Sequence, residues 1–201
     1  VLITGPTGSG KTTTIYSALK ERNNSETNIS TAEDPVEFNI EGINQVQINS
    51  EIGFEFGTAL KSFLRQDPDV IMLGEIRDYE AGSIAYKAAA TGHLVVSTLH
   101  TNDAASTISR LLNMNLPSYI IADSTSLVVA QRLLKTNCKY CAEDYNVADG
   151  GLLNMGVKKE EFPEYKKLKK GVGCHNCNDK GYSGRCAIFE VMKLNTEIKE
   201  A

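Results

Sequence analysis

The chain of 201 residues is 41% hydrophobic and 23% charged, a composition typical of a globular protein with a sizeable core. Its formal net charge of −4 at pH 7 argues against a surface that coats nucleic acid. The sequence has no run of about 18 apolar residues and no basic-then-apolar N-terminal segment, so neither a transmembrane helix nor a signal peptide is predicted and we expect an intracellular protein.

The first predicted elements are a strand, a glycine-rich loop and a helix. An apolar run at Val1 to Ile3 precedes a match to the P-loop pattern G-x-x-x-x-G-K-[ST] at residues 5–12, and a helical stretch runs from Lys11 to Glu21. The glycines let N–H groups turn towards a phosphate, the lysine reaches the β- and γ-phosphates, and the Thr12 hydroxyl binds the bridging Mg²⁺. A chance glycine-rich turn would lack the flanking strand and helix. The predicted ATP-binding residues are Gly5, Pro6, Thr7, Gly8, Ser9, Gly10, Lys11, Thr12 and Thr13.

An acidic cluster follows the second predicted strand, residues 28–32. Glu33, Asp34 and Glu37 come at the carboxyl end of that strand, where ligands bind in open α/β sheets. Glu33 is a candidate general base that would accept a proton from the water attacking the γ-phosphate. Asp34 and Glu37 would help to hold Mg²⁺ or shape the loop. A solvated acidic turn is the alternative.

A second acidic segment follows residues 70–73, a short apolar run typical of a strand buried on both faces of a parallel sheet. Glu75 would act on Mg²⁺ from the carboxyl end of this strand, directly or through water. The next strand is predicted over residues 93–102, and at its exit Ser97, Thr98 and His100 would lie beside the acids, as a sensor of the γ-phosphate does. For His93 a structural role is as good an interpretation as a functional one. The candidate catalytic residues are Glu33, Glu75, Arg77 and His100.

The remaining elements before residue 135 are predicted from hydrophobic periodicity. Gly92 would end one helix, Asp103 would cap the next, and Leu111 and Leu112 would face inward. Pro117 would open a longer helix. The predicted ranges are a strand at 43–49 and helices at 56–66, 79–90, 104–113 and 117–134.

Two CxxC motifs indicate a metal site. Cys138 and Cys141 form the first, and Cys174 and Cys177 form the second, with 32 residues between the motifs. Intracellular thiols are kept reduced, so four such cysteines favour tetrahedral Zn²⁺ over disulfides. A redox role fits poorly, because neither motif opens a thioredoxin-like helix after a strand. His175 is interpreted as a bystander and Cys186 as a core cysteine.

The composition changes at residue 136. The charge-rich segment Lys158–Lys170 is interpreted as a solvated face, with partner docking as the alternative. A turn is predicted at residues 181–185, and a strand at 186–192 would rejoin the main core. The predicted organisation is an α/β P-loop core over 1–135, a zinc module over 136–186 and a return to the core over 187–201.

Five stretches of this sequence, taken in order, carry a family resemblance. The chain resembles the secretion-superfamily ATPases, and within them the type II secretion and type IV pilus assembly ATPases that have a tetracysteine zinc module. The resemblance implies a RecA-like motor domain, with a mainly parallel sheet flanked by helices, that hydrolyses ATP in a homohexamer. It also implies a place at the cytoplasmic face of the inner membrane, an inner-membrane platform protein as partner, and neither nucleic-acid binding nor membrane insertion. The stretches are GPTGSGKTTT (5–14), TAEDPVEF (31–38), LRQDPDVIMLGEIRD (64–78), TGHLVVSTLHTNDA (91–104) and the CxxC pair followed by GYSGR.

The resemblance also assigns roles. Residues 5–12 match the Walker A loop, Glu33 the catalytic glutamate of the Asp box, Glu75 the Walker B acid, and His93 and His100 the His box. The four CxxC cysteines match the zinc ligands.

The sequence departs from the family pattern at two positions. Lys61 stands where the family usually has Arg, which puts a bidentate contact from that helix in doubt. Lys139 stands where the first CxxC usually has Pro. The arginine-bearing N-terminal domain of the family is not part of this sequence, so we expect a fragment of a longer protein.

Two other functions are compatible with a P-loop. A DNA-dependent RecA-type ATPase or helicase would grip single-stranded DNA in a basic, aromatic-lined groove, but the sequence pI of about 5.5 and the absence of Trp argue against it. A small-molecule kinase would need an acceptor-binding lid and has no use for a zinc module.

Overall fold

The computed structural model describes residues 1–200, which form two compact units. The first contains Val1–Arg132 and the chain from Ile188 to the end of the described range, and the second contains Leu133–Ala187. The two boundaries between the units fall within long strands, β6 (Leu127–Asn137) and β9 (Tyr182–Lys193). No helix of the described residues has both the length and the apolar character needed to cross a membrane.

A seven-stranded sheet organises the first unit, in the order β3-β2-β4-β5-β1-β6-β9. Each pair from β3 to β6 is parallel. The prediction of an α/β fold with a mainly parallel sheet is confirmed. The strands are β1 (Leu2–Thr4), β2 (Ile29–Glu33), β3 (Asn44–Gln47), β4 (Val70–Leu73), β5 (Leu94–Leu99), β6 (Leu127–Asn137) and β9 (Tyr182–Lys193).

Helices cover both faces of this sheet, which is why its strands β1, β2 and β4 are buried along their whole length. In β4, Ile71 and Leu73 join the larger core with Phe56 and Leu60 of α2. The alternate residues of β4 join the second core with Ile15 of α1. The helices of the first unit are α1 (Lys11–Arg22), α2 (Phe56–Phe63), α3 (Tyr79–Ala90), α4 (Ala104–Asn113), α5 (Ser118–Ser124) and α8 (Thr196–Glu200).

The second unit contains a small antiparallel sheet and two short helices. Strands β7 (Ala142–Asn146) and β8 (Lys167–Gly171) pair along their whole length. Phe162 and Leu152 are buried in a minor apolar core beside them. The helices are α6 (Asp149–Asn154) and α7 (Phe162–Tyr165), the latter lying with β8 in the segment predicted as a solvated face.

The predicted helix from 117 to 134 is wrong. Helix α5 ends at Ser124, and residues 127–137 form β6, which pairs in parallel with β1 through Val128 and Val129. Ser124, Thr125 and Ser126 are poor helix formers, and the β-branched residues after them fit a pleated surface next to β1.

Three smaller predictions are also wrong. Leu112 is 44% exposed, whereas Leu111 is fully buried. The segment 181–185 is not a turn alone, because β9 begins at Tyr182. Cys186 is exposed rather than part of a core. The strand rejoins the core of the first unit only near its end, through half-buried Met192 and the buried Leu194 that follows.

Candidate functional site

The glycine-rich loop joins the carboxyl end of β1 to the first residue of α1. Gly5, Gly8 and Gly10 have φ values of 145°, 77° and 85°, which residues with side chains rarely adopt. A Cβ atom at Gly5 would also lie 2.3 Å from the backbone oxygen of Gln131. The predicted P-loop sequence thus has the backbone geometry that needs its glycines.

Lys11 is the cation of this loop and is mostly buried. Its Nζ donates hydrogen bonds to the carbonyl oxygens of Gly5 at 2.9 Å and Pro6 at 3.3 Å. Burial lowers the pKa of Lys11, and the nearby charge of Glu75 partly opposes this shift. The ammonium group therefore lies over the loop and within the electrostatic reach of a carboxylate.

The carboxylate of Glu33 is held from three directions at the end of β2. It is 2% exposed. Its Oε1 accepts hydrogen bonds from the Thr31 hydroxyl at 2.6 Å and from Gln45 Nε2 at 3.1 Å. Its Oε2 accepts a hydrogen bond from the Tyr16 hydroxyl. Thr31, Gln45 and Tyr16 come from β2, β3 and α1, so three elements fix the orientation of this carboxylate.

Glu75, just beyond β4, is the second carboxylate of the site. It is paired with Arg77, and its Oε2 lies 3.3 Å from His100 Nε2. Arg77 also lies 3.3 Å from Asp34 through its Nη1. The hydrogen bond to Glu75 is the main cause of the raised pKa of Arg77. The ends of β2, β4 and β5 thus contribute one connected group of polar and charged side chains.

The residues at the end of β5 divide between two faces. The Thr98 hydroxyl donates to the Gly74 carbonyl at 2.6 Å, next to Glu75. Ser97 lies elsewhere, in a small cavity with Tyr86, because successive side chains of a strand point to opposite faces. The prediction that Ser97 lies beside the acids is wrong. His93 precedes β5, and its Nδ1 is 2.9 Å from the carbonyl oxygen of Ala88, which is a local structural contact.

An open cleft of about 610 Å³ brings most of these groups together. Gly5 and Pro6 lie at its edge, where their carbonyls hold Lys11. Arg77 does not line the cleft itself but pairs with Glu75, which does. The residues of the predicted sites that line the cleft are Thr7, Gly8, Ser9, Gly10, Lys11, Thr12, Thr13, Glu33, Asp34, Glu37, Glu75, Thr98 and His100.

Sequence reasoning missed the residues that support this cleft from behind. Tyr16 and Gln45 contact Glu33, and Gln131 contacts the P-loop. Only Tyr16 carries a local signal, since it lies one helical turn beyond Thr12 and a buried tyrosine hydroxyl needs a partner. Gln45 and Gln131 reach the site through strand pairing, which the local sequence does not reveal.

A separate cluster lies in the second unit and consists of four cysteines. The Sγ atoms of Cys138, Cys141, Cys174 and Cys177 all lie within 4.8 Å of one another. Three of the pairs are separated by 3.8 to 3.9 Å. A disulfide would need about 2.05 Å, whereas four sulfurs at about 2.3 Å from a tetrahedral ion are about 3.8 Å apart. The cluster could therefore hold a metal ion.

Backbone groups around this cluster favour the thiolate of Cys177. The N–H groups of Cys174 and Gly181 each donate to Cys177 Sγ at 3.2 Å. Burial raises the pKa of Cys177, but these donors and hydrogen bonds with neighbouring thiols together outweigh it and bring the pKa to about 7. At Cys141, by contrast, burial raises the pKa to about 12. Gly171 and Gly181 approach so closely that a Cβ atom at Gly171 would lie 1.8 Å from the Gly181 oxygen. Glycine at both positions lets the loop that supplies the donors close on the cluster.

The family model described as type II/IV secretion system protein matches residues 1–201. The chain is 56% identical over 201 residues to a protein of Myxococcus xanthus named type IV pilus assembly ATPase PilB, with all of this chain and 35% of that protein covered. It is 47% identical over 200 residues to the type II secretion system ATPase E of Vibrio cholerae, with 100% and 39% covered. The chain thus spans little more than a third of the length of these relatives.

Solved structures show the same architecture. A crystal structure of the pilus retraction motor PilT with bound ADP superposes with a TM-score of 0.67 at 31% identity. The match covers 99% of this chain and 48% of that one. The similarity therefore extends over both units of the chain described above.

Proposed function

The chain belongs to the type II/IV secretion system protein family, and from this we propose that it is the ATP-hydrolysing motor domain of a type II secretion or type IV pilus assembly machine. The two relatives described above are named as ATPases of such machines. The observation that carries the proposal is the cleft in which a P-loop lysine and two carboxylates face one another.

The positions of the residues in the cleft support a separate role for each of them in ATP hydrolysis. We assign the β- and γ-phosphates to the loop amides and Lys11, and Mg²⁺ to the Thr12 hydroxyl together with Glu75. Glu33 is the proposed general base, because its carboxylate is held rigidly at the edge where the γ-phosphate would lie. His100, beside Glu75, would respond to the γ-phosphate. Arg77 would hold Glu75 and Asp34 in place.

For the second unit we propose Zn²⁺ held by Cys138, Cys141, Cys174 and Cys177. The sulfur separations fit a tetrahedral ion, and four thiolates leave no position for a reactive water, so the role is structural. Val147, Leu152 and Phe162 form only a small core in this unit. Metal binding would therefore supply much of the unit's stability.

The assembly is proposed from the family. We infer a homohexamer at the cytoplasmic face of the inner membrane, where an inner-membrane platform protein would receive the motion. The names of the relatives support both a pilus and a secretion machine, and the work done would be the extension of a pilus or pseudopilus.

Calorimetric titration with ATP and Mg²⁺, followed by an assay of phosphate release, tests the nucleotide site. We expect saturable binding of one nucleotide per chain. Absence of binding at millimolar ATP would contradict the proposal.

A second arm adds single-stranded DNA to the turnover assay. We expect no stimulation, because the net charge is −4 and a DNA-driven enzyme needs a basic groove. A strong increase in turnover would favour the DNA-dependent alternative instead.

A further inference from the structure

Gln131 is a buried polar residue of β6 whose amide group contacts the P-loop with one end and helix α1 with the other. It is 2% exposed. Its Nε2 donates to the carbonyl oxygen of Ser9 at 2.8 Å, and its Oε1 accepts from the Thr14 hydroxyl at 2.8 Å. A carbonyl can only accept, so the contact with Ser9 fixes which end of the amide is the donor.

The bond to Ser9 has a consequence for the next N–H group of the loop. The peptide unit between Ser9 and Gly10 is planar and trans, so its C=O and N–H point in opposite directions. Because the Ser9 carbonyl is turned towards Gln131, the Gly10 N–H is turned away from β6. Gly10 itself is one of the residues that line the cleft.

The bond to Thr14 ties the same amide to the first turn of α1. At the other end of the loop, the backbone of Gln131 lies against Gly5, where a Cβ atom would meet its carbonyl oxygen at 2.3 Å. One residue of β6 thus contacts the start of the loop, its last turn and the helix that follows. None of these contacts requires a bound ligand.

We propose that Gln131 is a positioning residue of the phosphate site, which holds the Ser9–Gly10 peptide with its N–H directed at the nucleotide phosphates. The proposal rests on the nucleotide-binding function proposed above and names a residue that determines its affinity. Gln131 lies behind the loop, so it acts through Ser9 and Gly10 and does not touch the nucleotide.

The isosteric change Gln131→Glu tests this role. It keeps the shape and the acceptor for Thr14, but it replaces the donor to Ser9 by an oxygen that repels the carbonyl. We expect the dissociation constant for ADP with Mg²⁺ to rise tenfold or more. Gln66→Glu is the matched control, because it makes the same charge change at an exposed position outside the cleft.

A role in stability alone predicts a different result. The melting temperature would fall while the affinity of the folded protein stayed the same. The amide resonance of Gly10 separates the two roles: in the wild type it should shift when ADP is added, and in Gln131→Glu it should start from a different position and shift less. Wild-type affinity and an unchanged Gly10 resonance in Gln131→Glu would overturn the proposal.

A second variant covers the case in which Gln131→Glu does not fold. Thr14→Val removes one hydroxyl from a half-buried position and leaves the Gln131 amide with a single partner. We expect at least a threefold loss of ADP affinity, and an unchanged affinity would overturn the proposal. If the wild-type chain itself fails to bind ADP, the proposed function is wrong, a result that is distinct from either variant binding normally.

Discussion

The hydroxyl of Tyr16 donates a hydrogen bond to the carboxylate of Glu33. This bond joins α1, the helix that follows the P-loop, to the carboxyl end of β2. Tyr16 is 1% exposed. Burial raises its pKa to about 12, and the bond to Glu33 contributes to the same shift. Tyr16 therefore stays protonated, and stays a donor, throughout the physiological pH range.

Replacing Glu33 by Gln should lower ATP turnover while sparing nucleotide affinity. The amide keeps the size of the side chain but cannot accept the proton of the attacking water, which should reduce turnover by roughly 10²-fold or more. Phosphate release at saturating ATP by the full-length protein measures the effect, because this chain lacks the arginine-bearing domain, and exposed Glu41→Gln is the control. Normal turnover in Glu33→Gln would place the base elsewhere, with Glu75 as the next candidate.

Tyr16→Phe should have the same kind of effect on a smaller scale. It removes one of the three donors to Glu33 while Thr31 and Gln45 remain. We expect turnover to fall by roughly three- to tenfold, as for the loss of one hydrogen bond worth about 1 kcal/mol, with the KM for ATP unchanged. A raised KM with normal turnover would mean that Tyr16 shapes binding instead.

Lys11→Ala should nearly abolish nucleotide binding, because it removes the charge that neutralises the β- and γ-phosphates. Calorimetry with ATP and Mg²⁺ measures this. Lys87→Ala, which removes a lysine from the exposed side of α3, is the control for net charge. Wild-type affinity in Lys11→Ala would exclude the P-loop as the phosphate site.

Cys174→Ser should release zinc from the second unit. Elemental analysis should find one zinc per wild-type chain and less than half of that in the variant. Residues 138–186 should become more susceptible to limited proteolysis, since metal binding and local folding are coupled. The control is Cys186→Ser, because Cys186 is exposed and lies outside the cluster. Zinc-free wild-type protein, or loss of zinc from Cys186→Ser, would contradict the ligand set.

Loss of the Tyr86 hydroxyl proton should lower the free energy of unfolding at alkaline pH. Burial raises the pKa of Tyr86 to about 12, against a partial lowering by its bond to Thr125. The unfolded chain therefore loses this proton at lower pH than the folded one. The stabilisation is fully present below pH 10 and is lost as the pH rises from about 10 to 12, with a limit on the order of 3 kcal/mol.

Urea unfolding at a series of pH values measures this loss. Tyr86→Phe should lower stability at neutral pH and make the decline between pH 10 and 12 shallower, with the remaining decline due to Tyr16, whose pKa is also raised to about 12. Tyr119→Phe, at an exposed position, should decline like the wild type. An equally steep decline in Tyr86→Phe would assign the alkaline transition to other groups.

The sequence predicted the structure best where a local motif determines the backbone geometry. The P-loop spacing predicted both the strand before Gly5 and the helix from Lys11, and the apolar run at 70–73 predicted β4 with its correct bounds. These patterns are local, because the glycines and the continuous burial impose their own backbone geometry.

Prediction failed where distant partners decide the structure. The residues from Leu127 to Leu133 suit a helix or a strand, and it is their pairing with β1, more than 120 positions earlier in the chain, that makes them β6. Because residue 131 falls in the wrongly predicted helix, the contact of Gln131 with the P-loop was not predicted either. Gln45 was assigned to a strand, but its contact with Glu33 depends on the register between β2 and β3.

The place of β1 between β5 and β6 also sets the order of events during synthesis. Residues 2–4 pair with residues 97–99 and 128–130, so the strand that carries the P-loop lacks at least one of its two neighbours until both segments have left the ribosome. At roughly 5–20 residues per second, this takes on the order of 10 s. Such distant pairing also folds slowly. Strands β2 and β4, which are fully buried in the finished fold, emerge in that interval with their sheet incomplete, and this is when we expect the nascent chain to depend most on chaperones.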